Sequence, residues 1–332
     1  MLKKHLSSLF LLLMVLTVVT CKKKVDSDEK ECPGFNIVPQ SPYSDPIWHP
    51  SGNLIGFNHT PIKSIDYNYG YDCPMQAKYI YDLESTGFWL INTDGTNQRR
   101  ILPYELQTPA WSPDGKWIAF VQGAQIFKMP FDGEKFDETK KEQLTHEGRN
   151  FFPAWSPTGE WITFVQSVCN STKSCGVWKY NLNTKTETFL YQYGAFPEWL
   201  NNNEIIFSVA AINNSGVKTG DTLWRYNHLN NAKEIVAFLT TKSNGTSRVK
   251  PFHNKIGFMF QDTFRQLYVM DIDGKNQKQL TTSGCDGFSW SPDGRIVYVE
   301  FDYVRIAKDK GVLYTMNTDG TNKKQLTTNQ IN

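Results

Sequence analysis

The chain has 332 residues, 14% of them aromatic and 20% charged, enough for one large all-β domain whose buried faces are built from Trp, Phe and Tyr. Formal net charge is +2, and Lys3 and Lys4 fall in an N-terminal stretch expected to be removed, so 35 basic residues less two leave 33 against 33 acidic ones. A neutral body with no basic stripe excludes nucleic acid as a partner class.

Residues 1–20 read as targeting sequence: Lys3 and Lys4 supply a positive start, and Leu6 to Thr20 is an uncharged, mostly apolar run ending at Cys21. That run is shorter than the roughly 20 residues a spanning helix needs. Val18-Val19-Thr20-Cys21 resembles a bacterial lipobox, with Thr20 in place of the usual small residue. The resemblance implies a lipid-modified Cys21, a tether over residues 21–40 and a folded domain over 41–332. More than one acyl chain on Cys21 would anchor the protein stably, where one chain is marginal. The expected location is the bacterial cell envelope, at the outer membrane. Export permits disulfides. Cys169 and Cys175 flank five residues between two strand patterns and suit a loop-closing bridge; Cys32 and Cys73 remain as a pair only by elimination, and Cys285 is then odd. The alternative for all five is that they are small buried thiols.

From Pro46 onward one unit recurs six times. It is clearest as Pro109-Ala-Trp-Ser-Pro-Asp-Gly-Lys-Trp-Ile-Ala-Phe-Val-Gln122 and Pro153-Ala-Trp-Ser-Pro-Thr-Gly-Glu-Trp-Ile-Thr-Phe-Val-Gln166, with weaker copies from Pro46, Pro197, Arg248 and Phe288. The copy from Arg248 lacks the Trp. A second half follows each, best seen in Leu267-Tyr-Val-Met-Asp-Ile-Asp-Gly-Lys-Asn-Gln-Lys-Gln-Leu-Thr281 and in Leu313 to Thr327, with other copies starting near Phe88, Ile126, Val177 and Leu223. Pro-Asp-Gly and Asp-Gly-x-Asn are hairpin turns, because Pro fixes φ and Gly or Asn accepts positive φ. Each unit is therefore four strands, a blade that must stack on neighbours to bury both faces. Trp111, Trp155 and Trp199 recur 44 residues apart, a blade's period. These spacings predict an all-β, six-bladed β-propeller of four-stranded antiparallel blades.

Trp-Ser-Pro-Asp-Gly-Lys-x-Ile-Ala-Phe followed by Leu-Tyr-x-Met-Asp-x-Asp-Gly-x-Asn-x-x-Gln-Leu-Thr resembles the blade repeat of the TolB-like propellers. The resemblance implies a repeat type shared by the periplasmic Tol–Pal component, the non-catalytic domain of prolyl-oligopeptidase-type enzymes and the oligogalacturonate lyases. The expected departures are the missing α/β domain that precedes the propeller in TolB and the missing hydrolase domain.

With the innermost strand starting at one face, the loops between second and third strands gather there and the Asp-Gly turns lie opposite. The loop-rich face carries the elaboration: Asn58 to Thr86 in blade 1, rich in Tyr (Tyr67, Tyr69, Tyr71, Tyr79, Tyr81), the Cys169–Cys175 loop, Ala211 to Asp221, and Asp302 to Gly311. Variation confined to one face of a rigid scaffold marks a binding surface. The lead-ins to the inner strands supply Tyr43, Asp45, Arg149, Phe151, Phe152, Tyr193, Phe196, Arg248 and Asp286 as candidate partner-binding residues, aromatic groups with a few charges that suit a peptide or a sugar. The competing reading packs these aromatics between blades.

No catalytic constellation is legible. His49, His59, His146, His228 and His253 show no ligand spacing, there is no Gly-x-Ser-x-Gly elbow, and Asp271–Gly274 lacks the Glu that a calcium loop places at its twelfth position. The expectation is a non-catalytic, monomeric envelope propeller that needs no cofactor or metal, held to the membrane by its N-terminal lipid and binding an envelope protein or a glycan. The alternatives are a carbohydrate-active enzyme resembling oligogalacturonate lyase and a purely structural scaffold.

Overall fold

A computed structural model describes residues 41–68, 76–169, 173–240, 248–261, 265–301 and 311–328. The expected signal and tether, Tyr69, Tyr71 and Cys73 of the blade-1 insertion, and most of 302–311 lie outside the described residues. Six four-stranded antiparallel sheets follow one another along the chain, each built from consecutive strands except the first, whose second and third strands are separated by a hairpin. The innermost strands are Tyr43–Trp48, Gln107–Trp111, Asn150–Trp155, Gly194–Trp199, Arg248–Phe252 and Cys285–Trp290. Neighbouring innermost strands face one another around a central axis. The fold is the six-bladed propeller the repeat spacing predicts. The blade-1 insertion forms a hairpin of its own, Ile62–Asn68 against Gln76–Tyr81, in which Tyr79 and Tyr81 stack at 6.3 Å. In blade 4 the expected loop is instead an extension of the sheet, with Ile212 paired to Lys218.

The turns behave as their sequence requires. In Asp-Gly-x-Asn both Gly and Asn take positive φ: Gly95 and Asn97 at 90° and 53°, Gly274 and Asn276 at 82° and 54°, Gly320 and Asn322 at 83° and 52°. The preceding Asp accepts the backbone N–H two residues on, at 2.9 Å in Asp94 and Asp319 and 3.1 Å in Asp273, an Asx turn. Each second strand buries one ring completely: Phe57, Phe120, Phe164, Phe207, Phe258 and Tyr298. The core is divided among six seams, because each apolar cluster joins two adjacent blades.

Two motif residues have assigned tasks. The indole N–H of Trp155 donates to Ala110 O at 3.1 Å, that of Trp199 to Ala154 O at 3.2 Å and that of Trp290 to Lys250 O at 2.8 Å, so the repeated Trp staples blades 3, 4 and 6 each to the one before. In Gln-Leu-Thr, the Thr hydroxyl accepts a third-strand N–H (Ile126, Leu267 and Leu313, at 2.9, 2.9 and 3.0 Å) in place of a backbone carbonyl. Its Gln donates to the same Thr's carbonyl. The outer strand is thereby cut to two residues in blades 2, 5 and 6, whereas blades 3 and 4, which lack the motif, run outer strands of seven and eight residues. Short outer strands blunt the sheet edge.

Among the described residues the ring closes without exchange of a strand between its ends. Tyr43, Trp48, Phe57 and Ile91 of blade 1 pack on Val297, Val299, Leu313 and Leu326 of blade 6, and the Tyr43 hydroxyl donates to Thr328 O at 3.4 Å.

Candidate functional site

Five of the six innermost strands break register at the same place, between Ser44 and Ile47, Gln107 and Ala110, Phe151 and Ala154, Ala195 and Glu198, and Cys285 and Phe288. The residue at each break has positive φ: Asp45 47°, Thr108 47°, Phe152 57°, Phe196 52° and Gly287 100°. The cause is readable in the chain. In four blades the next residue is Pro (Pro46, Pro109, Pro153, Pro197), which cannot donate to the ladder and bars the right-handed helical region to the residue before it. The strand bulges there, and a bulge re-aims its side chain. Left-handed backbone is uncommon at non-glycine residues and concentrates at functional positions. Blade 5 has no bulge: Arg248–Phe252 pairs without a break, Arg248 opposite Met259.

These residues converge. Asp45, Thr108, Phe152, Phe196, Gly287 and Arg248 line a cavity of about 60 Å³ on the propeller axis, room for roughly five water molecules. The Arg248 guanidinium lies 5.0 Å from the Phe152 ring centroid and 5.4 Å from that of Phe196, and the two rings meet edge to face at 4.4 Å. Its Nη1 stands 3.7 Å from Asp45 Oδ1, beyond hydrogen-bond length. Asn58 donates to Asp45 Oδ2 at 3.3 Å and, through its amide, both donates to Leu106 O and accepts from Leu106 N at 2.8 Å. One step farther in, Lys250 Nζ and Glu198 Oε1 pair at 3.1 Å. Thr108 Oγ1 is buried with no hydrogen-bond partner among the described residues.

Burial pushes the Asp45 carboxyl above the usual carboxylate range. Arg248 and Lys250 pull it down, Asp286 and Glu105 push it up, and the desolvation outweighs the attraction. A quarter of the Asp45 side-chain surface (24%) still faces the channel.

Of the nine residues expected at the mouth, the structure brings Asp45, Phe152, Phe196 and Arg248 together. Tyr43 is sunk in the seam with blade 6, 2% exposed and stacked on His59 at 4.2 Å, so it faces no partner. Phe151 is half-buried on the opposite side of its strand from Phe152, packed on the core between blades 2 and 3. Arg149 and Tyr193 are exposed outside the cavity lining. Asp286 pairs with Arg265 at 3.0 Å. Thr108, Gly287, Asn58, Glu198 and Lys250 were not expected; aligning the residue before each strand Pro would have found Thr108. Cys169 and Cys175 are joined by a disulfide, and Cys285 is the free, buried cysteine among the described residues. The histidines are dispersed: His49 contacts Gly115 O, His59 Pro42 O, and His228 lies between Asn202 O and Lys179. Among the described residues no three His, Cys, Asp or Glu are grouped so as to hold a metal, and no helix is long and apolar enough to cross a membrane.

Comparison with solved structures shows the same fold at low identity. TolB from Acinetobacter baumannii superposes with a TM-score of 0.57 at 19% identity, over 85% of this chain and 63% of that one. The chain thus spans less than two thirds of that relative. A protein described as a TolB from Agrobacterium tumefaciens gives 0.54 at 16% identity, over 72% and 84%. The β-propeller domain of the Trilobed protease from Pyrococcus furiosus gives 0.51 at 15%, over 89% and 98%. No curated protein matches the sequence significantly. The model of the TolB beta propeller domain family matches residues 90–332, and the chain belongs to that family.

Proposed function

We propose that this TolB-family propeller is an exported, non-catalytic binding protein of the bacterial cell envelope, anchored by lipid on Cys21 and engaging its partner at the channel mouth. The observation that carries the reading is the convergence of five bulge residues, four of them non-glycine and held in left-handed backbone, with Arg248 on one axial cavity. Strained backbone persists where surrounding structure over-determines it, and here it repeats in four strands to aim side chains at one point. The Cys169–Cys175 bridge supports residence in an oxidising compartment. The fold relationship to TolB supports an envelope setting. Binding is favoured over carbohydrate-lyase chemistry because the cavity presents aromatic rings, an arginine and a carboxyl, while His49, His59 and His228 are each committed to backbone carbonyls elsewhere.

The test is capture of partners from native envelope by the full chain against Phe196→Ala. Loss of the captured partner is expected, and an unchanged set would overturn the assignment of the mouth. Incorporation of labelled fatty acid, abolished by Cys21→Ser, tests the anchor; labelling that survives in that variant refutes it.

A further inference from the structure

We infer that the channel mouth recognises a carboxylate group on an extended peptide, clamped by the Arg248 guanidinium, an inference that rests on the mouth being the binding site. The Arg248 side chain is held in place by two rings and spends none of its hydrogen-bond donors on a described residue: its one charged neighbour, Asp45 Oδ1, is 3.7 Å away. An arginine oriented by aromatic contact, with its donors free and one third of its side-chain surface (34%) open to a cavity, is preset for a planar two-oxygen acceptor. The other charges nearby are committed, Lys250 to Glu198 and Arg265 to Asp286. Asp45 does not close the clamp, because Asn58 holds its other oxygen and Asn58 is itself fixed to Leu106. Thr108, whose buried Oγ1 has no partner among the described residues, lines the same wall.

A peptide fits better than a sugar. Stacking a sugar needs an open aromatic face, and Phe152 and Phe196 are turned on each other and covered by Arg248. The prolines that flank the bulges make the remaining wall apolar, and a cavity of about 60 Å³ accepts the end of a narrow chain. The carboxylate can come from a peptide C-terminus or from an Asp or Glu side chain.

The experiment is ligand-observed NMR on the detergent-solubilised full chain with four probes: N-acetyl-Ala-Ala as the free acid, the same dipeptide as its C-terminal amide, N-acetyl-Glu-Ala-amide, and glucuronate. The C-terminal source predicts that the free acid binds roughly tenfold or more tighter than the amide, from charge-assisted hydrogen bonds. The side-chain source predicts that the Glu peptide does so instead. In either case Arg248→Gln removes the preference and Arg248→Lys keeps part of it. Equal binding of acids and amide, no saturable binding by either acid at millimolar concentration, or a preference that survives in Arg248→Gln overturns the inference. Binding by glucuronate alone overturns the peptide assignment. The comparison of acid with amide uses the unaltered protein, so misfolding of a variant cannot obscure it. Envelope partners that depend on Phe196 but compete with neither acid would refute the carboxylate clamp and leave the mouth assignment standing.

Discussion

Replacing Trp199 by Phe should destabilise the propeller more than the same change at Trp111, although both rings are nearly buried (7% and 9% exposed) and occupy the same motif position. Trp199 donates to Ala154 O at 3.2 Å across the seam between blades 3 and 4. Trp111 Nε1 is buried with no hydrogen-bond partner among the described residues, and the ring is held by His49 at 4.8 Å, Phe131 at 5.1 Å and Phe136 at 5.7 Å. Shrinking indole to phenyl leaves a small cavity in both, about 1 kcal/mol. At Trp199 the buried Ala154 carbonyl also loses one of its two side-chain donors, the Thr163 hydroxyl remaining at 3.3 Å, which adds about 0.5–1.5 kcal/mol. At Trp111 an orphaned donor is removed, which offsets part of the cavity. The expected losses are therefore about 1.5–2.5 kcal/mol for Trp199→Phe and about 1 kcal/mol or less for Trp111→Phe. Urea unfolding followed by far-ultraviolet circular dichroism measures both, with unchanged slopes licensing the comparison of midpoints. Equal losses, or a larger one at Trp111, would refute the assignment of the repeated Trp as a staple between blades.

Asp45→Asn should raise stability at neutral pH and flatten its pH dependence. Burial lifts the native Asp45 carboxyl above its unfolded value, so the native state binds the proton more tightly and loses stability as pH rises from about 4 through the raised value. The gain in the variant should grow across that window and then level off; a gain independent of pH in denaturation series would refute this. Asn58→Ala removes both 2.8 Å bonds to Leu106 and should cost about 2–4 kcal/mol, with weaker peptide binding because Asp45 is freed to close on Arg248. Unchanged thermal unfolding would contradict the first expectation. Thr281→Val leaves Leu267 N–H without the hydroxyl at 2.9 Å and should cost about 1–3 kcal/mol, with faster exchange of that amide proton as the direct readout; an unaltered exchange rate would show that the hydroxyl does not cap the strand.

The blades were legible because turn chemistry is local: Pro-Asp-Gly and Asp-Gly-x-Asn impose positive φ at fixed places whatever surrounds them. The bulges were not legible, since a bulge is a property of pairing between two strands and the repeat was aligned on its Trp. That is why Phe151 and Phe152 were both expected at the mouth, although successive strand residues face opposite ways. Tyr43 failed for another reason. It sits where blade 1 meets blade 6, and nothing within one repeat tells which side chains the ring closure will cover. Arg248 was found through its position at the start of a strand, but its task depends on blade 5 lacking the bulge, a difference visible only once Arg248 is seen opposite Met259.

Because among the described residues no strand crosses from the last blade to the first, the two ends of the ring come out side by side, with the Tyr43 hydroxyl 3.4 Å from Thr328 O. The polypeptide order of the blades is therefore arbitrary to their packing. A gene re-cut within an exposed turn such as Asp132–Lys135, with its former ends spliced by a short linker, should encode the same wheel. The seam between blades 1 and 6 would then gain a covalent hoop, and the new cut would become the place where the wheel first opens.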